Sequence, residues 1–255
     1  MISDWVLRTA SFEAWPDTSF QLPPMQAHRG YWLGGARENT LSALIHAKKV
    51  GAQMSEFDVR MTRDQIPVLF HDKDLVRTTG EHLFLEDLSL QELKNRCEID
   101  TLEEALLNRG VPDYLNIEIK SDKAANEAIE RKVTQVIQKT KAHRRVMFSS
   151  FNPVSIWKLS QYLPQVPRAL LVTNENHPAN QIWLKEMWTL PFLKVHLIHY
   201  DQSMLEEGYL AKIQELRIPF AVWTVNTKEA IDRFLSAGAK SIITDTLGLK
   251  ETITD

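Results

Sequence analysis

Along this chain the spacing of hydrophobic positions switches repeatedly between a period of two and a period of three to four, the pattern of strands alternating with amphipathic helices. Met25–His28 predicts a short strand. Asn39–Val50, with Leu41, Leu44, Ile45 and Lys48 at helical spacing, predicts a helix that stops at Gly51, a residue suited to a left-handed cap. Gln53–Thr62 predicts a strand with Phe57 and Val59 on one face and Glu56 and Asp58 on the other. Pro67–Asp72 predicts a companion strand or an extension past a turn. Residues 73–100 are mostly polar, with a small helix around Ser89–Arg96, and Thr101-Leu-Glu-Glu104 is a capping box for a helix ending at Gly110. Further strands are predicted at Tyr114–Lys120, Val146–Phe151, Arg168–Thr173, Lys194–Tyr200, Pro219–Val225 and Ser241–Asp245. The helices between them fall at Ala124–Thr140, Val154–Tyr162 (opened by Pro153), near Asn180–Trp188, at Met204–Leu216 and at Thr227–Ala237.

Eight principal strands with helices between most of them predict an α/β fold, a (β/α)8 TIM-type barrel. An open doubly wound sheet is the alternative, and the absence of a Gly-rich dinucleotide fingerprint after the first strand counts against it. The barrel is expected to be one domain over residues 25–255, with a short insertion at 73–100 and a truncated last helix. Residues 1–24 read as an N-terminal extension packing on the barrel. Ile2, Trp5 and Val6 share one face of a short helix there, and Pro16, Pro23 and Pro24 stop it. The extension is expected to cover the gap beside the last strand.

A length of 255 residues suits one such barrel, and 44% hydrophobic with 25% charged residues excludes disorder. A net charge of −3 gives no electrostatic support for a nucleic-acid surface. The basic run Lys139–Arg145 reads as a solvated helix end. Cys97 is the only cysteine, so there is no internal disulfide and no Cys cluster for zinc. The first residues lack the basic start and apolar run of a signal peptide, and no integral membrane segment is expected, because no apolar stretch reaches the roughly 18 residues of a span. A cytoplasmic setting is the expectation.

Active sites of parallel barrels lie at the C-terminal ends of the strands. In this sequence those ends carry His28-Arg29-Gly30, Glu56 with Asp58, His71-Asp72, Asn116-Ile-Glu118-Ile-Lys120, Ser149-Ser150, Trp223-Thr224 and Thr244-Asp245. Glu56, Asp58 and Glu118 are hard oxygen donors, which favours one divalent cation, Mg²⁺ or Ca²⁺, over zinc. A buried salt-bridge network with Lys120 and Arg29 would use the same residues. His28 and His71 suit a general acid and a general base. Arg29 and Lys120 suit a phosphate, and Gly30 allows a ligand close to the backbone. Trp223 either stacks on a substrate or caps the barrel, and Trp32 falls in the Gly-rich loop at the mouth. His196 and His199, three apart in a strand, face opposite ways and read as packing.

Taken in order, Ala27-His-Arg-Gly30, Glu38-Asn-Thr40, Glu56-x-Asp58, Thr62, Pro67-Val68, His71-Asp72, Arg77-Thr-Thr79, Glu118-Ile-Lys120, Trp223-Thr-Val-Asn226 and Thr244-Asp245 closely resemble the glycerophosphodiester phosphodiesterase family over about residues 25–247. The resemblance implies a (β/α)8 barrel that hydrolyses small-molecule glycerophosphodiesters to sn-glycerol 3-phosphate and an alcohol, a step in glycerol and lipid metabolism. It implies metal ligands at Glu56, Asp58 and Glu118, paired catalytic histidines at His28 and His71, and substrate contacts at Arg29 and Lys120. Glu38 and Asn39 fall at a supporting position. The chemistry it implies passes through a cyclic glycerophosphate. The chain departs from the family pattern at Arg37, where a proline is usual, at Thr246-Leu247, where a proline is common, and in the shortness of its insertion. Lysophospholipase D or sphingomyelinase D-like activity is the neighbouring alternative, with Tyr31-Trp32-Leu33 and Leu83-Phe84-Leu85 as candidate apolar contacts. A non-catalytic barrel that binds a phosphorylated metabolite is the alternative from another class.

Overall fold

The structure is a computed structural model that describes residues 4–16, 20–121, 128–175 and 181–247. It begins with helix α1 (Asp4–Thr9) and then alternates strand and helix. The order is β1 (Met25–His28), α2 (Leu41–Lys49), β2 (Met54–Met61), β3 (Pro67–Leu69), α3 (Val76–Thr79), α4 (Leu90–Lys94), α5 (Leu102–Leu107) and β4 (Tyr114–Ile119). It continues through α6 (Ala128–Thr140), β5 (Val146–Ser150), α7 (Pro153–Tyr162), β6 (Arg168–Val172), α8 (Ile182–Lys185) and β7 (Leu197–Asp201). Last come α9 (Glu207–Glu215), β8 (Phe220–Trp223), α10 (Lys228–Ser236) and β9 (Ser241–Thr244). Eight parallel strands close on themselves, because β1 pairs with both β9 and β2; the ninth, β3, runs antiparallel to β2 on its outer end. This is the TIM-type barrel. The expected truncated last helix, and the starts of the helices at 124 and 180, lie outside the described residues.

Strand alternation sorts side chains into two cores. Outward residues such as Phe57, Val59, Ile117, Ile119, Ile198 and Val222 pack under the helices and are at most 1% exposed. Inward residues at the N-terminal end, Met54, Met147, Ala169, Leu197 and Ala221, surround Phe20, which stacks on Tyr114 at 4.4 Å. Above this plug lies a belt of buried amides and hydroxyls. Asn116 donates to Gln26 (3.1 Å), Gln26 to Ser241 (3.1 Å) and Ser149 to Asn116 (2.9 Å). These four side chains are paired with one another, which offsets part of the cost of burying them beneath the site.

Local signals set the helix starts. Thr40, Asn152 and Thr227 cap α2, α7 and α10 with their side chains, and Ser89 and Thr101 form complete capping boxes. The α5 helix stops at Leu107, short of the expected Gly110. One expectation needs correction. Trp5 is 52% exposed, and Val6 and Leu7 are the buried residues of α1. They join Leu190, Leu193 and Val195, while Phe12 bridges to Val195. Helix α1 therefore packs beside β7, against the Leu190–Phe192 turn, rather than over a gap beside the last strand, which the extension meets through Pro23 and Pro24. The insertion is also more than polar loop: Val68, Phe70, Leu75, Leu85, Leu88, Leu93 and Ile99 form a small core of their own. That core gives the mouth of the barrel a rigid wall.

Candidate active site

Period-two alternation on β2 turns Glu56 and Asp58 into the barrel, and pairing of Asp58 with Glu118 brings β4's carboxylate level with them. One oxygen from each of Glu56, Asp58 and Glu118 lies within 4.8 Å of the others, and the three residues are 4%, 1% and 7% exposed. Lys120 is bonded to Asp58 (2.9 Å) and to Glu118, and Arg29 Nε lies 3.4 Å from Asp58. Two cations thus face three buried carboxylates. The imbalance falls on Glu56, whose carboxyl is pushed up to about 8 by burial and by Asp58. Burial also pushes Glu118 up. For Asp58 burial acts upward too, but Lys120, His71 and Arg29 outweigh it and hold the carboxyl well below its ordinary range. A buried all-oxygen set with one carboxylate short of a counter-charge fits a hard divalent cation.

The metal and salt-bridge readings are therefore two descriptions of one cluster. Lys120 and Arg29 neutralise part of it, and the donor set is still in surplus.

His28 and His71 stand on either side. His28 Nδ1 lies 2.7 Å from Asp245 and its Nε2 4.0 Å from Glu56. His71 Nδ1 lies 2.7 Å from Asp72. An ionised carboxylate only accepts, so each Nδ1 carries a proton and each Nε2 is the nitrogen that exchanges one. Burial works against charge on His28, but the bond to Asp245 and the nearby Glu56 raise it above the ordinary histidine value. Burial prevails at His71 and lowers it. The two imidazoles are pushed in opposite directions, as an acid and a base must be.

The backbone at the site is left-handed at Arg29 (φ 54°), Gly30 (φ 78°) and Asn39 (φ 53°), conformations that side-chain-bearing residues adopt at a cost. They are held there by the site itself. Arg29 N–H donates to Glu56 (3.1 Å), and Asn39 both donates to the Asp58 carboxylate and accepts from its backbone N–H, each at 2.8 Å. Gly30 serves packing rather than a ligand: a Cβ there would sit 2.6 Å from Ala43 of α2. Trp223 is half-buried, donates to His199 O (3.0 Å) and meets Phe151 edge-on at 5.5 Å, with Lys120 5.7 Å over the Phe151 ring.

The structure also brings in residues that strand alternation alone leaves without a role. Arg77, in the insertion's first helix, bonds Glu38 (2.5 Å) and Asp72 (2.7 Å) at once. Glu38 in turn bonds Arg29 (2.9 Å), and Asp72 holds His71. Asn226 holds Asp245 (2.7 Å) on the other side. Arg77 and Asn226 each stand in a motif run that the sequence displays, yet nothing in the spacing says which carboxylate either one meets.

Fold and site together define a phosphodiesterase-type hydrolase built on a barrel mouth. The model of the glycerophosphoryl diester phosphodiesterase family matches residues 27–249. A glycerophosphodiester phosphodiesterase of Caldanaerobacter subterraneus is 30% identical over 86% of this chain and 92% of its own, and one of Bacillus altitudinis is 30% identical over 86% and 93%. Among solved structures, the glycerophosphodiester phosphodiesterase of Thermotoga maritima superposes with TM-score 0.72 at 27% identity, over 91% of this chain and 98% of that one. An Oleispira antarctica phosphodiesterase, solved with its product sn-glycerol-3-phosphate, shares the fold at TM-score 0.71 and 24% identity, over 91% and 97%. The chain belongs to the glycerophosphodiester phosphodiesterase family and is an enzyme of the phosphoric diester hydrolase class.

Proposed function

We propose that this enzyme hydrolyses glycerophosphodiesters to sn-glycerol 3-phosphate and an alcohol, using Glu56, Asp58 and Glu118 to hold one Mg²⁺ or Ca²⁺. The observation that carries this is the buried carboxylate cluster flanked by two carboxylate-anchored histidines. A divalent cation in that cluster would supply charge neutralisation for the phosphate oxygens. Arg29, steered by Glu38, binds the phosphodiester, and Lys120 adds a second positive charge beside it. Asn39 fixes Asp58, and Trp223 edges the space where the glycerol lies. One histidine takes the proton from the glycerol hydroxyl next to the ester, and that oxygen attacks phosphorus within the same molecule. The second histidine gives its proton to the leaving alcohol. A cyclic glycerophosphate results, and water opens it with the histidine roles exchanged. Intramolecular attack spares the entropy cost of fixing a separate nucleophile.

Release of glycerol 3-phosphate from glycerophosphodiesters, assayed with and without a divalent cation, is the direct test. Cation-dependent release is expected. Full activity in a metal-free, chelator-treated enzyme would remove the metal assignment, and no release from any head group would remove the activity. Action on larger lipids would need an apolar mouth. Leu33 and Phe84 are 43% and 50% exposed, and Lys73 lies over the Phe84 ring. A comparison of glycerophosphocholine with lysophosphatidylcholine separates the two substrate classes. Among the described residues no helix is long and apolar enough to cross a membrane.

A further inference from the structure

A cleft of about 490 Å³ lies between the ends of β2 and β4 and the inner wall of the insertion. It shares two walls with the active site. Arg60 lines it and donates from Nε to His71 O at 2.7 Å, and Lys120 lines it while bonded to Asp58 and Glu118. The insertion supplies one side through Lys73, Phe84 and Leu85, and the start of α6 another through Ala128 and Ile129. Of the candidate site residues only Lys120 lines it, so the cleft lies beside the reacting centre and has room for the part of a substrate beyond the phosphorus.

Its charge is uneven. Arg60, Arg63, Lys73 and Lys120 face Glu86 and Asp87 across the lining. Arg63 is already committed to Glu92 (2.7 Å) and to Asp87 O (2.8 Å). Lys73 is exposed, and among the described residues it is paired with no carboxylate; its ammonium lies 5.9 Å from the centre of the half-exposed Phe84 ring. An exposed aromatic face beside a phosphodiesterase site would otherwise attract a quaternary ammonium. Here that face is taken by a lysine, which repels a second cation and donates hydrogen bonds to oxygen.

We propose that this cleft seats the leaving alcohol and that Lys73, set over Phe84, selects uncharged polyol alcohols against ammonium-bearing ones. The proposal rests on the glycerophosphodiester reading and gives it a substrate class. The test measures kcat/KM of the full-length, cation-loaded enzyme on glycerophosphoinositol and glycerophosphoglycerol against glycerophosphocholine and glycerophosphoethanolamine. The wild type is expected to favour the first group. For Lys73→Glu the preference is expected to move about three- to tenfold toward choline, mainly through KM, the size of effect one partly exposed charge exerts. Lys94→Glu, which makes the same charge change where Lys94 meets Glu104, is expected to leave the ratio unchanged. A wild-type preference for choline, or a Lys73→Glu effect equal on every head group, would overturn the proposal. Release of glycerol 3-phosphate from none of the substrates would instead strike the underlying reading, and the proposal with it.

Discussion

At the mouth of the barrel His28 and His71 each meet a carboxylate through Nδ1 at 2.7 Å, whereas His196 and His199, lower in the same barrel, meet none among the described residues. His196 accepts from the backbone N–H of Arg168 (3.1 Å), and both ring nitrogens of the fully buried His199 lack a partner. Burial pushes these two down to about 4 and about 3. The arginines divide the same way. Arg29 faces Asp58 and Glu38, while Arg168 spends its donors on the carbonyls of Lys194 (2.9 Å) and Val166 (2.7 Å). Desolvation acts on every one of these groups. At the mouth, opposing charges at hydrogen-bond distance outweigh it at His28 and offset part of it at His71. At the base nothing does, and the imidazoles stay neutral and serve packing.

The largest expected break in that contrast comes from the upper histidines. His28→Ala and His71→Ala should each lower kcat by about 10²–10⁴, the usual contribution of a positioned acid or base, while His196→Ala keeps near-normal turnover where it folds. Wild-type turnover in either upper variant would end the paired-histidine scheme. Metal affinity comes next. A cation must displace the proton that burial and Asp58 keep on Glu56, so affinity for Mg²⁺ or Ca²⁺ should rise with pH up to about 8 and then level off. Calorimetric titration at several pH values measures this, and a flat profile would exclude Glu56 as the protonated ligand. Arg77→Ala should lower kcat by about 10- to 100-fold with little change in melting temperature, because it loosens both Asp72 and Glu38 without emptying the core. If only KM moved, Arg77 would be a substrate contact instead of a positioning residue.

A last contrast concerns stability rather than turnover. His199 has a folded-state value depressed to about 3 against an unfolded value near 6.5, so its contribution is full above about pH 6.5 and is lost as pH falls toward 3. Within that window the slope is about 1.4 kcal/mol per pH unit for one proton. His199→Phe should flatten the acid side of the denaturation profile relative to wild type. Profiles that run parallel would show that His199 takes up no extra proton on unfolding.

Much of this was legible in the chain itself. Period-two alternation put Glu56 with Asp58 and Glu118 with Lys120 on inward faces, and eight strand-like runs with helices between them specified a closed barrel. Those are local properties: the direction of a strand side chain is set by its own backbone, and helix starts are set by caps such as Thr101 within four residues. Pairings across the barrel are not local. Asp245 reaches His28 over 217 positions, and Arg77 reaches Glu38 over 39. The resting place of α1 beside β7 depends on Leu190, Leu193 and Val195, which lie far along the chain from Val6 and Leu7. The sequence by itself determined which residues face inward and which chemistry they can do. His71 meets its own sequence neighbour Asp72, but only the tertiary structure decided that Asp245 anchors His28, because barrel closure alone brings strand ends from opposite ends of the chain within hydrogen-bond reach.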